Sequence, residues 1–302
     1  MAGMRKPDFF LVGGPRSGTT AMDAYLKQHP DIFMPRLKDL HYFGSDLPFV
    51  HRPTQTQRDY LRHFDAARDE KRVGESSVWY LYSCRAAREI KAFCPEASII
   101  IMLRHPVEMM YSLHSQRLAI GGEDLADFAE ALAAEERRRR GLDRPRHPGM
   151  QHAVFYREIA RYTDQVARYL ETFGRDNVHV VLFDDLERDT AAAYAEVLRF
   201  LGVSTEFRPA FPVLNANRRT YSAAATRLLW RPPPVLLRLG SRLVSRTVQR
   251  RVVEFLSRSV ARTEPRPPMD PGLRRALTAE FTPEVERLGA LLGRDLSAWT
   301  RA

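Results

Sequence analysis

Residues Gly13-Gly-Pro-Arg-Ser-Gly-Thr-Thr20 read G-x-x-x-x-G-T-T, the spacing of a phosphate-binding loop of the Walker A kind with Thr19 where a lysine would stand. Such a loop wraps backbone N–H groups around an anionic oxygen cluster, and the positive end of the following helix adds to the attraction. The absent lysine changes the chemistry. Phosphoryl transfer relies on that lysine and on Mg²⁺ held by an acid at a strand end, because the group in transit carries several negative charges. A sulfuryl group carries fewer and passes without a metal, which leaves the loop to bind a departing phosphate and neutralise its charge. Arg16, inside the loop, can meet phosphate oxygens through two donors. A second cation, Arg104, closes the apolar run Ser98-Ile-Ile-Ile-Met-Leu103, which puts it where ligands sit in open α/β folds. Ser112, about two helical turns beyond a helix start at Pro106, can reach the same anion.

These residues need a strand before the loop and a helix after it. Asp8 to Val12 has the pattern of a short buried strand, and Ala21, Met22, Tyr25 and Leu26 predict a helix that stops at His29-Pro30. Ser98 to Leu103 and Val178 to Phe183 are unbroken apolar runs, the mark of strands covered on two faces. Helical spacing fills Leu125 to Arg140 and Tyr156 to Phe173. Strands alternating with helices predict an α/β fold, a central mainly parallel sheet flanked by helices, as one domain over 1–302 with a helical, Arg- and Pro-rich part from about 220 to 302. In that part, Val235 to Ser259 is basic and amphipathic. It has the look of a lid or of a peripheral membrane-surface helix, although an ordinary helix packed on the core is the commoner outcome. A Pro-rich linker, Glu264 to Pro271, leads to a final helix pair ending near Trp299.

Composition narrows the function. The 302 residues carry 47 Lys+Arg against 37 Asp+Glu, a formal charge of +10 that favours anionic partners. Only five cations are Lys and the other 42 are Arg (47 − 5), so a GC-rich coding bias is a competing explanation of the charge. Arg137-Arg-Arg-Arg140 closes a Glu- and Ala-rich helix and reads as a solvated helix end rather than a nucleic-acid contact. No nucleic-acid motif accompanies the arginines. Two cysteines, Cys84 and Cys94, are too few for a disulfide framework and lack zinc spacing, and no histidine pair has HExxH spacing, so no metal is expected. The longest apolar run, Ala97 to Leu103, is far short of the ~20 residues of a membrane span, and the first residues show no signal core, so a cytoplasmic protein is expected.

Taken in order over nearly the whole chain, four segments resemble the sulfotransferases that use 3′-phosphoadenosine 5′-phosphosulfate (PAPS), in their bacterial and carbohydrate-type branch. Pro15-Arg-Ser-Gly-Thr-Thr20 is similar to that family's 5′-phosphosulfate loop, and Leu103-Arg-His-Pro106 with Ser112 to its 3′-phosphate motif. Leu182-Phe-Asp-Asp-Leu186 with Phe200-Leu-Gly202, and Leu292-Gly-Arg-Asp-Leu296 with Trp299, resemble its later segments. The resemblance implies a P-loop-like fold, PAPS as donor, and donor contacts from Pro15, Arg16, Ser17, Gly18, Thr19, Thr20, Arg104, Ser112 and, in the late loop Asn215 to Arg219, Arg218. It implies a small-molecule, lipid or glycan acceptor. Lys38-Asp-Leu-His-Tyr-Phe43 is similar to the family's catalytic segment, where a Glu usually stands at the position of Asp39. Asp39 is therefore the first candidate base and His41 the second. A neutral His, with an ordinary pKa near ~6.5, suits the role better than an Asp near ~3.9. In Gly74-Glu-Ser-Ser-Val-Trp-Tyr80, heparan-type relatives carry a Lys where this chain has Ser76, so Lys38 or an Arg would supply that charge. The rival reading is a P-loop kinase acting on a small molecule, supported by the acid-ended run Val180 to Asp185, which imitates a Walker B strand.

Overall fold

The computed structural model describes residues 5–49, 54, 56–145, 151–212, 218–220, 261–263 and 266–301. In chain order the elements are β1 (Phe9–Leu11), α1 (Thr19–Leu26), β2 (Ile32–Phe33), α2 (Gln57–Leu61), β3 (Arg72–Ser76), α3 (Ala86–Phe93), β4 (Ser98–Leu103), α4 (Pro106–Ala119), α5 (Phe128–Ala133), α6 (Glu135–Arg139), α7 (Tyr156–Ala160), α8 (Tyr162–Phe173), β5 (Val178–Leu182), α9 (Phe183–Arg188), α10 (Thr190–Leu201), β6 (Arg218–Thr220), β7 (Ala261–Thr263) and α11 (Pro271–Leu292). They form two compact units: residues 1–110, 157–214 and 271–302 make the first, 111–156 and 215–270 the second.

The first unit is built on a five-stranded, wholly parallel sheet in the order β2-β3-β1-β4-β5. Strand alternation sends Phe9, Leu11, Ile100 and Met102 to one face, where they pack with Met22 and Leu26 of α1 and Tyr194, Val197 and Leu198 of α10. The alternate residues Phe10, Ile99 and Ile101 point the other way, toward the face where α8 packs on β4, and are fully buried. Burial on both faces is why the apolar runs of β1 and β4 are continuous.

β3 escapes a reading by hydrophobicity, because Arg-Val-Gly-Glu-Ser has a single aliphatic residue. It holds its place through polar contacts. At the amino edge of the sheet, Arg72 donates to Asp8 Oδ1 at 2.6 Å, to Ser98 Oγ at 2.9 Å and to the Leu201 carbonyl at 2.7 Å.

Other expectations shift in detail. The helix read over 125–140 is two short helices, α5 and α6, and that over 156–173 breaks at Arg161 between α7 and α8. The third apolar run leaves the sheet at Leu182, and Phe183 opens α9. In place of a final helix pair there is one helix, α11, followed by a 3-10 turn over Ser297–Thr300 that buries Trp299. Gly293, at φ 65°, adopts the left-handed conformation that ends helices. The amphipathic segment 235–259 lies outside the described residues, and no described helix is long and apolar enough to cross a membrane.

In the second unit, β6 and β7 pair antiparallel. Its interior holds a bidentate ion pair, Arg138 Nη2 to Glu123 Oε1 at 2.6 Å and Nη1 to Oε2 at 2.9 Å. Burial alone would raise the Glu123 carboxyl, but bonds from Arg138, the Leu125 amide and the Tyr156 hydroxyl outweigh it and hold the group below its ordinary range. The arginine run is therefore not one solvated helix end. Arg137, Arg139 and Arg140 pair at the surface with Asp143 and Glu136, while Arg138 is interior.

The tightest fit in the first unit is at Gly13, where a Cβ would stand 2.0 Å from the backbone nitrogen of Met102 in β4. Backbone cannot yield as a side chain does. Gly13→Ala is expected to cost about 3 kcal/mol or more and to lower the melting temperature by roughly 5 °C or more, measured by calorimetry. A melting point within a degree of the original would show that the loop does not lie against β4.

Candidate active site

Backbone hydrogen bonds bring three segments to the carboxyl edge of the sheet. Gly14 N donates to the Met102 carbonyl at 2.9 Å, Ser77 N to Leu11 at 3.1 Å and Asp39 N to Ser76 at 2.8 Å. The loop after β1, the segment after β3 and the 38–43 loop thus share one edge, to which β4 adds Arg104.

In the phosphate loop Arg16 stands at φ 60° and Gly18 at φ 87°. A side chain at Gly18 would meet Leu186 and Phe183 at about 3 Å, so the chain turns here only because glycine lets it. Gly18 caps α1 with no side-chain hydrogen bond to the first turn, and a helix N-terminus draws anionic oxygens. Ser17 and Thr19 are buried, Pro15 is buried beneath them, and Thr20 is half-buried at the start of α1. The Ser17 hydroxyl donates to the Pro15 carbonyl at 3.3 Å. Arg104 lies with its guanidinium 4.5 Å from the centroid of the Phe183 ring, and its Nη1 donates to the Arg16 carbonyl at 3.4 Å. The two arginines picked out by position therefore meet at the loop. Phe183, the aromatic floor under Arg104, was read in the sequence only as the end of a strand.

Asp39 and His41 also have left-handed backbones, at φ 61° and φ 50°. With Arg16 they are three of the four non-glycine residues of positive φ among the described residues. Strain of this kind gathers at functional sites. The Asp39 carboxylate accepts from Val78 N at 3.2 Å and from Lys38 Nζ at 3.0 and 3.1 Å. Its side chain is 37% exposed. The His41 ring, by contrast, is buried and stacked on Phe49 with centroids 4.3 Å apart and planes at 15°. Lys38 also stands near Asp23 of α1, whose carboxyl is raised by burial in spite of its 2.6 Å pair with Lys27.

Beneath the 38–43 loop lies a group that the sequence did not suggest as functional. Glu75 of β3 is fully buried, accepting from the Ser77 hydroxyl at Oε1 and from the Tyr60 hydroxyl at Oε2, 3.1 Å away. Burial pushes its carboxyl up to about 7 although these bonds oppose the shift.

The acid pair that imitated a Walker B end is engaged elsewhere. Asp184 Oδ2 accepts from the Trp299 indole at 2.7 Å, and Asp185 pairs with Arg188 and Arg294, each at 2.6 Å. Both carboxylates tie the C-terminal segment to α9, which removes the feature that favoured a kinase.

The family described as "Sulfotransferase domain" matches residues 6–217. The chain belongs to the sulfotransferase family. A sulfotransferase from Alicyclobacillus acidocaldarius is 33% identical and superposes with a TM-score of 0.74 over 98% of this chain and 100% of that one. Among curated proteins the chain is similar to the membrane-associated sulfotransferase kil1 of Dictyostelium discoideum, 28% identical over 106 residues, 35% of this chain and 22% of that protein. It is also similar to the human bifunctional heparan sulfate N-deacetylase/N-sulfotransferase 3, 25% identical over 219 residues, 66% of this chain and 22% of that protein. The chain thus spans roughly a quarter of the length of these curated relatives.

Of the residues expected in this sulfotransferase's site, the loop from Pro15 to Thr20, Arg104, Asp39 and His41 lie at the carboxyl edge of the sheet. Ser112 is buried on α4. Arg218 falls in β6, and its side chain lies outside the described residues.

Glu75 yields a pH signature. A carboxyl raised in the folded state from about 4.5 to about 7 holds its proton while its unfolded counterpart loses it. Its contribution to stability is complete below the unfolded pKa and is lost as pH rises through 7, by about 3 kcal/mol in all. Glu75→Gln, which cannot ionise, is therefore expected to gain stability relative to the original protein as pH climbs from 4.5 to 7.5. Parallel denaturation curves across that range would show that Glu75 is ionised throughout.

Proposed function

We propose that this sulfotransferase takes the sulfuryl group of PAPS and delivers it to a hydroxyl of a small-molecule, lipid or glycan acceptor by in-line displacement. The observation that carries the donor reading is the meeting of Arg104 with the lysine-free phosphate loop, which gives the site two guanidinium groups and a helix N-terminus for a doubly phosphorylated nucleotide. Arg16 and the loop amides around Gly18 neutralise the charge that grows on the leaving 5′-phosphate, while Arg104 takes the 3′-phosphate. Asp39 accepts the proton of the acceptor hydroxyl as its oxygen bonds to sulfur and the sulfur–oxygen bond to the phosphate breaks. Exposure favours Asp39 over His41, because an acceptor arriving from solvent meets a carboxylate that is 37% exposed before a ring sealed against Phe49. Lys38, bonded to both oxygens of Asp39, aims that carboxylate and brings to the reacting centre the positive charge that neither Thr19 nor Ser76 supplies. A glycan acceptor is supported by the similarity to the human relative, which is a heparan sulfate enzyme.

The donor reading is tested by calorimetry with 3′-phosphoadenosine 5′-phosphate. A charge-assisted hydrogen bond is worth about 1.5–3 kcal/mol, so Arg16→Ala and Arg104→Ala should each weaken binding by roughly tenfold or more. The two should differ in selectivity. Arg104→Ala is expected to erase discrimination against adenosine 5′-phosphosulfate, which lacks the 3′-phosphate, whereas Arg16→Ala weakens both donors. Discrimination that survives in the Arg104 variant removes that residue from the nucleotide site.

The base is tested in single-turnover transfer with nucleotide affinity measured separately. Asp39→Asn should lose about 10²–10⁴-fold in rate while binding nucleotide normally, and Asp39→Glu should retain measurable activity. His41→Gln should lose distinctly less than Asp39→Asn. The reverse order would hand the proton to His41.

A further inference from the structure

Glu75 stands one layer below the reacting groups, and the hydrogen bonds around it run in one direction. Ser77 Oγ donates to Glu75 Oε1 and Tyr60 donates to Oε2, with the buried Tyr80 hydroxyl close to the same carboxylate. A hydroxyl has a single proton. With its proton drawn inward to the carboxylate, the Ser77 oxygen turns a lone pair outward and accepts from His41 N at 3.2 Å, and the Tyr80 oxygen beside it accepts from the next two amides, Tyr42 N and Phe43 N, at 3.0 and 3.3 Å.

We propose that Glu75 is a positioning residue for sulfuryl transfer: through Ser77 and Tyr80 its carboxylate holds the backbone of residues 41–43, and thereby the left-handed conformation that presents Asp39. The loop needs such a hold. Asp39 and His41 keep φ values of 61° and 50° without being glycine, and a chain in that region relaxes unless its neighbours over-determine it. Phe43 completes the anchor from below, its ring edge-on to Phe10, Tyr60 and Tyr80 at centroid distances of 5.5–5.8 Å. Once ionised, above about pH 7, the Glu75 carboxylate accepts from the Ser77 and Tyr60 hydroxyls at once and donates to none. The groups facing it are Tyr60 of α2, Ser77 and Tyr80 beyond β3, Asp39 of the loop and Tyr169 of α8, with no cation among them to hold it by ion pairing.

The proposal rests on the reading that Asp39 takes the acceptor's proton, and its test has one arm that needs no substrate. Glu75→Gln keeps the shape but replaces one acceptor oxygen by a donor, so at least one hydroxyl must turn. In the 302-residue variant at a pH above 7, where Glu75 of the original protein is ionised, NMR-resolved hydrogen exchange at the His41, Tyr42 and Phe43 amides should quicken by about tenfold or more while the amides of β1 and β4 keep their rates. Single-turnover transfer should fall by roughly 10- to 100-fold with affinity for 3′-phosphoadenosine 5′-phosphate within about twofold of the original, a split that general loss of structure would not produce. Ser77→Ala should quicken exchange at His41, and Tyr80→Phe at Tyr42 and Phe43. Unchanged exchange in Glu75→Gln, or a loss of rate matched by a loss of nucleotide affinity, overturns the proposal. Should Glu75→Gln fail to fold, original transfer rates in both Ser77→Ala and Tyr80→Phe overturn it as well. Quickened amides in a protein whose Asp39→Asn variant remains active would keep Glu75's hold on the loop and refute Asp39 as the base.

Discussion

The site depends on a short row of backbone hydrogen bonds at the carboxyl edge of the sheet, where β1 is gripped from both sides. Val12 N reaches Ile100 and Gly14 N reaches Met102 on one flank, while Ser77 N and Leu81 N reach Leu11 and Val12 on the other. Strands β3 and β1 therefore end level while β4 runs on to Leu103, and each delivers its next few residues to the same edge. The phosphate loop begins where β1 stops, the 76–80 segment that carries the Asp39 loop begins where β3 stops, and Arg104 follows β4. In an open parallel sheet this edge is where side chains from distant parts of the chain converge without any long loop having to be ordered.

That convergence is bought with local strain and buried polarity. Arg16, Asp39 and His41 adopt backbones that glycine would adopt more easily, and Glu75 gives up water for the hydroxyls of Tyr60 and Ser77. None of these choices favours stability. Each is sustained by tightly packed surroundings, from the Phe10, Phe43, Tyr60 and Phe93 ring cluster to the close approach of Gly13 to β4. Rigid packing against the sheet converts unfavourable conformations into fixed ones, and a fixed carboxylate is what the role proposed for Asp39, accepting a proton from the acceptor, requires.

Charge in this sulfotransferase is placed differently from charge in a nucleotide hydrolase. Where a P-loop lysine would stand there is a buried Thr19, and the cations near the loop are Arg16 and Arg104, with Lys38 on the adjoining segment. A guanidinium spreads its donors over a plane and suits the oxygens of a phosphate that is leaving intact rather than being transferred. The strand-end acids that would hold a metal in a kinase instead fasten the C-terminal turn, Asp184 to Trp299 and Asp185 to Arg294. The same position in the fold thus serves as a clasp.

The residues legible from the sequence alone were those whose role is local. Loop spacing from Gly13 to Thr20 encodes a turn between a strand and a helix, and the apolar runs of β1, β4 and β5 announce burial on two faces, so the parallel sheet, the phosphate loop and Arg104 at a strand end follow from residue order. What the tertiary structure decided were partnerships between residues far apart in sequence: Tyr60 with Glu75, Phe183 beneath Arg104, Trp299 on Asp184, and Arg138 drawn out of a basic run to meet Glu123. β3 stayed hidden for the same reason, its place in the sheet resting on Arg72 reaching Asp8, Ser98 and Leu201 and not on an apolar pattern. Periodicity records which faces meet water. Desolvation of a single carboxyl, or the hand of a single backbone turn, is a property of place, and place is set only when distant segments have packed.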